Sequence, residues 1–168
     1  MTQKRKIIHK KLLIGRNEWC QLPGLNIPAI RAKIDTGAKT SAIHAFNIKP
    51  LHRETYVRFD VHPLQGDESI LIHCQAPILD KRYIMSSNGH KEHRYVIVTS
   101  LKIDGQCWDI ELTLSNRDPL RHRMLLGRQA LNHRVVIDPG IVCNQTTLLN
   151  ETVLELYSHH GAHKIVID

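Results

Sequence analysis

The stretch Ala32-Lys33-Ile34-Asp35-Thr36-Gly37-Ala38 decides how this chain is read. Ala32 and Ile34 alternate with Arg31, Lys33 and Asp35, the period of a half-buried strand. The strand ends on an acid, followed by a small hydroxyl residue and a glycine. Gly37 lets the backbone turn and bring an N–H against the carboxylate, and Thr36 can donate its hydroxyl to neighbouring backbone. Such a loop holds one carboxylate, partly desolvated, facing a cleft. Asp-Thr-Gly alone is weak evidence, since it arises by chance in roughly a few per cent of chains this long. Its plain alternative is a turn after a strand.

A second element changes the reading. Met124-Leu125-Leu126-Gly127-Arg128-Gln129-Ala130-Leu131 is an apolar strand that ends in Gly-Arg and opens a short helix, expected over residues 127–132. Around these two elements short β-type runs dominate. Val57, Phe59 and Val61 alternate, and residues 70–72 can pair back across Gln65-Gly66-Asp67. Residues 95–103 and 107–114 flank Asp104-Gly105, which suits the positive-φ positions of a type I′ turn. In the second of these runs Trp108, Ile110, Leu112 and Leu114 share one face. Asn88-Gly89 marks another tight turn, and Arg134-Val135-Val136-Ile137-Asp138 reads as a strand closed by Pro139-Gly140. Beyond Thr146 the positions of Leu148, Leu149, Val153, Leu154 and Leu156 fit a helix only in part. No internal repeat or low-complexity linker is visible. The expectation is one mainly β domain over residues 1–168, with a core at about 13–140 and a C-terminal extension at 141–168.

Composition narrows the function classes. The chain has 168 residues, 42% hydrophobic and 23% charged, ordinary values for one soluble globular domain. Aromatic residues are 5%, too few for a base-stacking platform. Lys and Arg are spread along the chain instead of gathering in one stretch, which argues against nucleic acid. The net charge of +7 and the 12 histidines favour an acidic partner. The apolar run at residues 12–14 stops at Gly15 and Arg16, too short for a secretory core, and no later run approaches a membrane span. A cytoplasmic location without membrane contact is expected. Cys20, Cys74, Cys107 and Cys143 lie far apart, which favours buried, reduced thiols over a disulfide framework or a thiolate zinc site.

Together and in this order, the Asp-Thr-Gly loop and the Leu-Leu-Gly-Arg strand resemble the retropepsin-like aspartic peptidases. The likeness continues through Ile14-Gly15-Arg16-Asn17-Glu18-Trp19, Leu22-Pro23, Ile27-Pro28-Ala29, Ala38-Lys39-Thr40-Ser41-Ala42-Ile43-His44 and Ser86-Ser87-Asn88-Gly89. It is with a bacterial branch whose members carry the label ATP-dependent zinc protease. The resemblance implies a closed β-barrel lobe of the acid-protease type with one or two short helices. It implies catalysis by Asp35 in the Asp35-Thr36-Gly37 loop, substrate contacts at Ala38, Lys39, Ser87, Asn88 and Gly89, and support from Leu126, Gly127, Arg128 and His44. The turn at residues 86–90 takes the place of a flap tip, and residues 49–80 read as an insertion relative to the viral enzymes. Viral relatives carry acids soon after the catalytic loop, one of which pairs with the helix arginine. Here Lys39-Thr40 stand instead, so Arg128 lacks that partner.

Mechanism follows from the resemblance. Two carboxylates held about 3 Å apart share a proton; the ionised one activates water and the protonated one polarises the scissile carbonyl. This chain has one Asp-Thr-Gly, and Asp138-Pro139-Gly140 has the wrong middle residue. The second carboxylate is therefore expected from Asp35 of another copy, in a homodimer. The branch is associated with an ATP-grasp ligase that adds glutamates to a ribosomal protein, which suggests a Glu-rich peptide substrate or a ligase partner. No cofactor and no metal are expected. A His-Glu-x-x-His helix is absent, His159, His160 and His163 read as a polar tail, and His122 and His133 are scattered. Zinc-dependent proteolysis and a non-catalytic peptide-binding partner of a glutamate ligase stand as the alternatives; the intact Asp-Thr-Gly favours activity.

Overall fold

The structure is a computed structural model that describes residues 10–85, 88–116, 122–144, 148–160 and 163–164. In chain order its elements are β1 (Leu12–Ile14), β2 (Asn17–Leu22), β3 (Ile27–Ile34), β4 (Ser41–His44), β5 (Phe46–Leu51), β6 (Tyr56–Val61), β7 (Ile70–Met85), β8 (Lys91–Ile103), β9 (Gln106–Ser115), β10 (Met124–Leu126), α1 (Arg128–Leu131), β11 (Val135–Ile137), α2 (Asn150–His159) and β12 (His163–Lys164). The strands around β9 form a closed ring. Hydrogen-bonded neighbours run β2–β3–β10–β4–β9–β8, and Gln21 of β2 pairs back to Lys102 of β8, so the path returns on itself. Trp108, Ile110, Leu112 and Leu114 of β9 are all buried, one face of the strand, and share one apolar core with Ile30, Ile43, Leu101 and Leu126. The expected mainly β, retropepsin-like architecture is observed, with α1 and α2 as its helices.

The β8–β9 hairpin forms at the expected turn. Asp104 and Gly105 take φ values of 46° and 77°, the positive pair that a type I′ turn requires. The sheet continues beyond the ring as β8–β7–β6–β5, so residues 49–80, expected as an insertion, lie in an annex of strands that begins at Phe46. Val57, Phe59 and Val61 point inward from β6 and are fully buried. On its outer side Asn47 Nδ2 donates to Asp60 Oδ2 at 2.8 Å, and His73 Nδ1 lies 2.7 Å from Oδ1. Burial pushes the Asp60 carboxyl up, but these hydrogen bonds and the charges of His73 and Arg58 outweigh it and hold the group below its usual range.

Residues 150–159 settle the ambiguous tail as a helix. Its anchors are Val153 and Tyr157, one turn apart and buried, and the Tyr157 hydroxyl donates to Ala29 O on β3. Tyr157 was not among the tail positions the apolar pattern singled out, while Leu149 and Leu154 of that pattern are exposed.

The structure also contains a repetition invisible as sequence similarity. Parallel β10 and β3 bring Leu126 beside Ile34, and Asp35 N–H donates to Leu126 O at 2.9 Å. Parallel β1 and β11 bring Ile14 beside Ile137, and Asp138 N–H donates to Ile14 O at 2.9 Å. Past each Gly-Arg the same ladder recurs. Arg128 and Gln129 donate to Ala38 O and Lys39 O at 2.9 and 3.0 Å; Arg16 and Asn17 donate to Ile141 O and Val142 O at 2.8 and 2.9 Å. Gly37 N–H donates to Asp35 Oδ1 at 3.1 Å, and Gly140 N–H to Asp138 Oδ1 at 2.8 Å. The expectation of no internal repeat is corrected by this backbone pattern. It needs only Ile-Asp-x-Gly in one strand and apolar-Gly-Arg in the other, and the residues between these motifs differ.

All four cysteines are free; Cys20 and Cys74 are buried, Cys143 is half-buried and Cys107 is exposed, so burial holds for only part of the set. Burial pushes the Cys74 thiol up to about 12. A thiol-reagent titration of the native protein should modify Cys107 first. Cys20 and Cys74 should react about 10³-fold more slowly or worse, through opening of the core, and rapid modification of all four would contradict this packing.

Candidate active site

Asp35 stands at the end of β3, next to Leu126 and Gly127, as the paired motifs predict. Its carboxylate is half-buried and accepts the Gly37 N–H at 3.1 Å, while Ala38 N–H closes the turn onto Asp35 O at 3.2 Å. Gly37 is not in the left-handed region; a side chain there would put a Cβ 3.2 Å from Asp35 Oδ1. Space beside the carboxylate, more than backbone freedom, asks for glycine at 37. The Thr36 hydroxyl does not make the expected backbone bond: it is exposed and engages none of the described residues.

Arg128 braces the loop. In place of an acidic partner, its Nη1 donates to Thr36 O at 2.9 Å and Gly37 O at 3.1 Å. The two carbonyls face one guanidinium, a charge-assisted arrangement stronger than neutral hydrogen bonds. Gly127 N–H donates to Ser41 Oγ at 3.1 Å, and Thr40 Oγ1 donates to Gln129 Oε1 at 3.1 Å. Ser41 is buried and accepts the Thr113 hydroxyl through its carbonyl. Loop, helix start and β9 are thus tied in one network.

Asp35 opens into a cleft of about 870 Å³. Ala38 and Lys39 are among its lining residues, and so is His44, read from the sequence as support for the loop, which also stacks near Phe46. The arm formed by β7 and β8 reaches over it and supplies Arg82, Tyr83, Ile84, Met85 and Arg94. Asn88 and Gly89 lie exposed at the tip of that arm, outside the cleft lining, and Ser87 lies outside the described residues. Gly89 has φ of 76°, so the tight turn exists where the dipeptide predicts it. The cleft-lining arginines, with Glu111, Thr113 and Ser115, escaped sequence reading because they meet only through strand register.

Among the described residues no group of three His, Cys, Asp or Glu side chains gathers at metal-binding distance. His160 Nδ1 contacts Leu156 O on its own helix. No described helix is long and apolar enough to cross a membrane.

A closed β lobe that holds an Asp-Thr-Gly carboxylate loop between an apolar-apolar-Gly strand and a Gly-Arg helix is a retropepsin-like lobe. The chain belongs to the RimB-like family, described as retropepsin-like aspartic endopeptidase RimB, whose model matches residues 13–146. It is 48% identical over 156 residues to a "Probable alpha-L-glutamate ligase" of Desulfotalea psychrophila, covering 92% of this chain and 34% of that protein. A protein of the same name from Shewanella pealeana is 47% identical over 132 residues, 77% of this chain and 29% of its own length. The chain thus spans about a third of the curated relatives it matches. A crystal structure of a Legionella pneumophila protein of unknown function aligns with a TM-score of 0.64 at 26% identity, over 79% of this chain and 96% of that one.

Gly127→Ala is expected to destabilise the protein by about 2 kcal/mol. The added Cβ would stand 2.7 Å from Thr40 C and 2.9 Å from Lys39 O, both backbone atoms. Urea unfolding checks this, with Gly66→Ala, which meets nothing within 4 Å, as the measure of positive-φ strain alone. A smaller loss at Gly127 than at Gly66 would contradict the close approach.

Proposed function

We propose that the chain is an aspartic endopeptidase that works as a homodimer, with Asp35 of each copy activating water for hydrolysis of acidic peptides. The observation that carries this reading is the Asp35 loop itself. Its carboxylate is held by the Gly37 N–H, its carbonyls by Arg128, and it faces a cleft large enough for a peptide. The chain supplies one such carboxylate to that cleft; Glu111, the other acid among the described lining residues, stands on β9 outside any Asp-Thr-Gly loop and is paired with Arg82 in the free protein. A dyad therefore asks for a second copy, related by a two-fold axis through the two loops. We take residues 1–168 as one peptidase unit, with the β7–β8 arm as its flap.

The acidic-peptide part rests on charge and on relatives. Lys33, Lys39, Arg82, Arg94 and Arg123 line the cleft, and Lys33 and Lys39 enter no ion pair with the described residues. The matched relatives are named as glutamate ligases and extend well beyond the matched region. A glutamate chain made by an ATP-grasp ligase is the substrate that suits this cleft, and such a ligase is the partner we propose. We propose the cytoplasm as the location of this activity.

Asp35→Asn should lower cleavage of a Glu-rich peptide by about 10³-fold. Mixed with an equal amount of wild type and allowed to exchange subunits, it should give about a quarter of the activity of the same total amount of pure wild type, because mixed pairs lack the dyad. A fall to one half would refute the dimer while leaving a single-copy enzyme possible. Lys39→Glu should reduce the preference for Glu-rich over neutral peptides about fivefold at low salt, and that preference should fade as salt is raised. Equal handling of both peptides by wild type would end the acidic-substrate reading.

A further inference from the structure

Arg82 of β7 and Arg94 of β8 are directly paired across the arm, and both line the cleft. Like charges in that position repel, so each guanidinium needs a carboxylate of its own. Arg94 is buried and donates through Nε and Nη2 to Glu92 Oε2 at 2.8 and 2.7 Å. Arg82 is held twice: Nε donates to Asp80 Oδ2 at 2.7 Å, and Nη1 to Glu111 Oε2 at 2.6 Å. The two acids differ in kind. Asp80 stands two residues away on the same strand, outside the cleft lining, whereas Glu111 reaches across from β9 and is itself a cleft residue. With Asp35, Glu111 is the acid among the described lining residues, in a cleft otherwise rich in cations.

We infer that the Nη face of Arg82 is a binding subsite for a side-chain carboxylate of the bound peptide, and that Glu111 occupies this subsite in the free protein. This rests on the acidic-peptide reading. A peptide glutamate and Glu111 offer the same carboxylate, so exchange breaks one charge-assisted bond and makes an equal one. Both partners are accessible enough for it: the side chains of Arg82 and Glu111 are 34% and 29% exposed. Asp80 keeps Nε engaged and so preserves the orientation of the guanidinium while Nη1 changes partner. A neutral side chain cannot displace Glu111, which makes the internal pair a filter against neutral peptides as well as a site for acidic ones. Because Arg82 stands on β7 and Glu111 on β9, exchange also removes this side-chain tie between the two strands, while the β8–β9 backbone ladder stays in place.

Asp35→Asn protein allows binding to be read without cleavage, by fluorescence anisotropy of labelled hexaglutamate and hexaglutamine at low salt. In that background Glu111→Gln should tighten hexaglutamate about fivefold, since the occupant loses its charge but keeps its shape. Asp104→Asn removes the same charge at the remote β8–β9 turn, in a residue that tolerates positive φ, and should change affinity by less than about twofold. Arg82→Gln should weaken hexaglutamate about fivefold, with the thermal midpoint of each variant reporting that it folds. The subsite is overturned if Glu111→Gln and Asp104→Asn act alike, or if Arg82→Gln keeps the parent affinity. A parent that binds hexaglutamate and hexaglutamine equally overturns the acidic-peptide reading and the subsite together, an outcome distinct from either variant result.

Discussion

The approach of the backbone at residues 38–40 to Gly127 is the constraint on which the rest of this lobe depends. A Cβ at 127 would lie 2.7 Å from Thr40 C, so the loop can cross there only above a glycine. Once it crosses, the carbonyls of Ala38 and Lys39 receive the first N–H groups of α1, which have no partner within the helix. The same crossing brings the Arg128 side chain under Thr36 and Gly37. Orientation of the Asp35 carboxylate is thus set where two segments far apart in sequence, residues 35–40 and 126–129, meet.

What the sequence made legible is what local chemistry determines. Asp104-Gly105 specifies its turn because few other residue pairs accept two positive φ values, and the strands on either side then fall into register. Gly127-Arg128 marks the helix start, and Asp35-Thr36-Gly37 marks the loop it supports. The cleft was not legible in the same way. Arg82, Arg94 and Glu111 come from β7, β8 and β9 and meet only because cross-strand register and ring closure place them together. Tyr157 was missed because its hydroxyl disguises a fully buried anchor whose one polar atom is satisfied by Ala29 O.

Charge in this protein is organised more than its net value of +7 suggests. Around the cleft, the buried or half-buried arginines are each matched to a nearby acid, while Lys33 and Lys39 at its edge are not. Paired arginines hold shape, because an unpaired buried cation would be costly. Exposed lysines supply long-range attraction that salt can screen. On the annex, Asp60 with Asn47 and His73 forms a separate polar cluster whose chief effect is to fasten β5, β6 and β7 to one another.

The two matching turns, Asp35-Thr36-Gly37 and Asp138-Pro139-Gly140, give the lobe its own internal control. Both take the same strand neighbour, the same amide-to-carboxylate bond and the same crossing of an apolar-Gly-Arg segment. Folding therefore asks for the acid and the glycine at either place and is indifferent to the residue between them, since proline serves as well as threonine. Pro139 can offer neither an N–H nor a hydroxyl. Thr36 offers both at the surface, with a hydroxyl that nothing described in its own chain uses. The middle position is where the demands of architecture stop and those of chemistry begin.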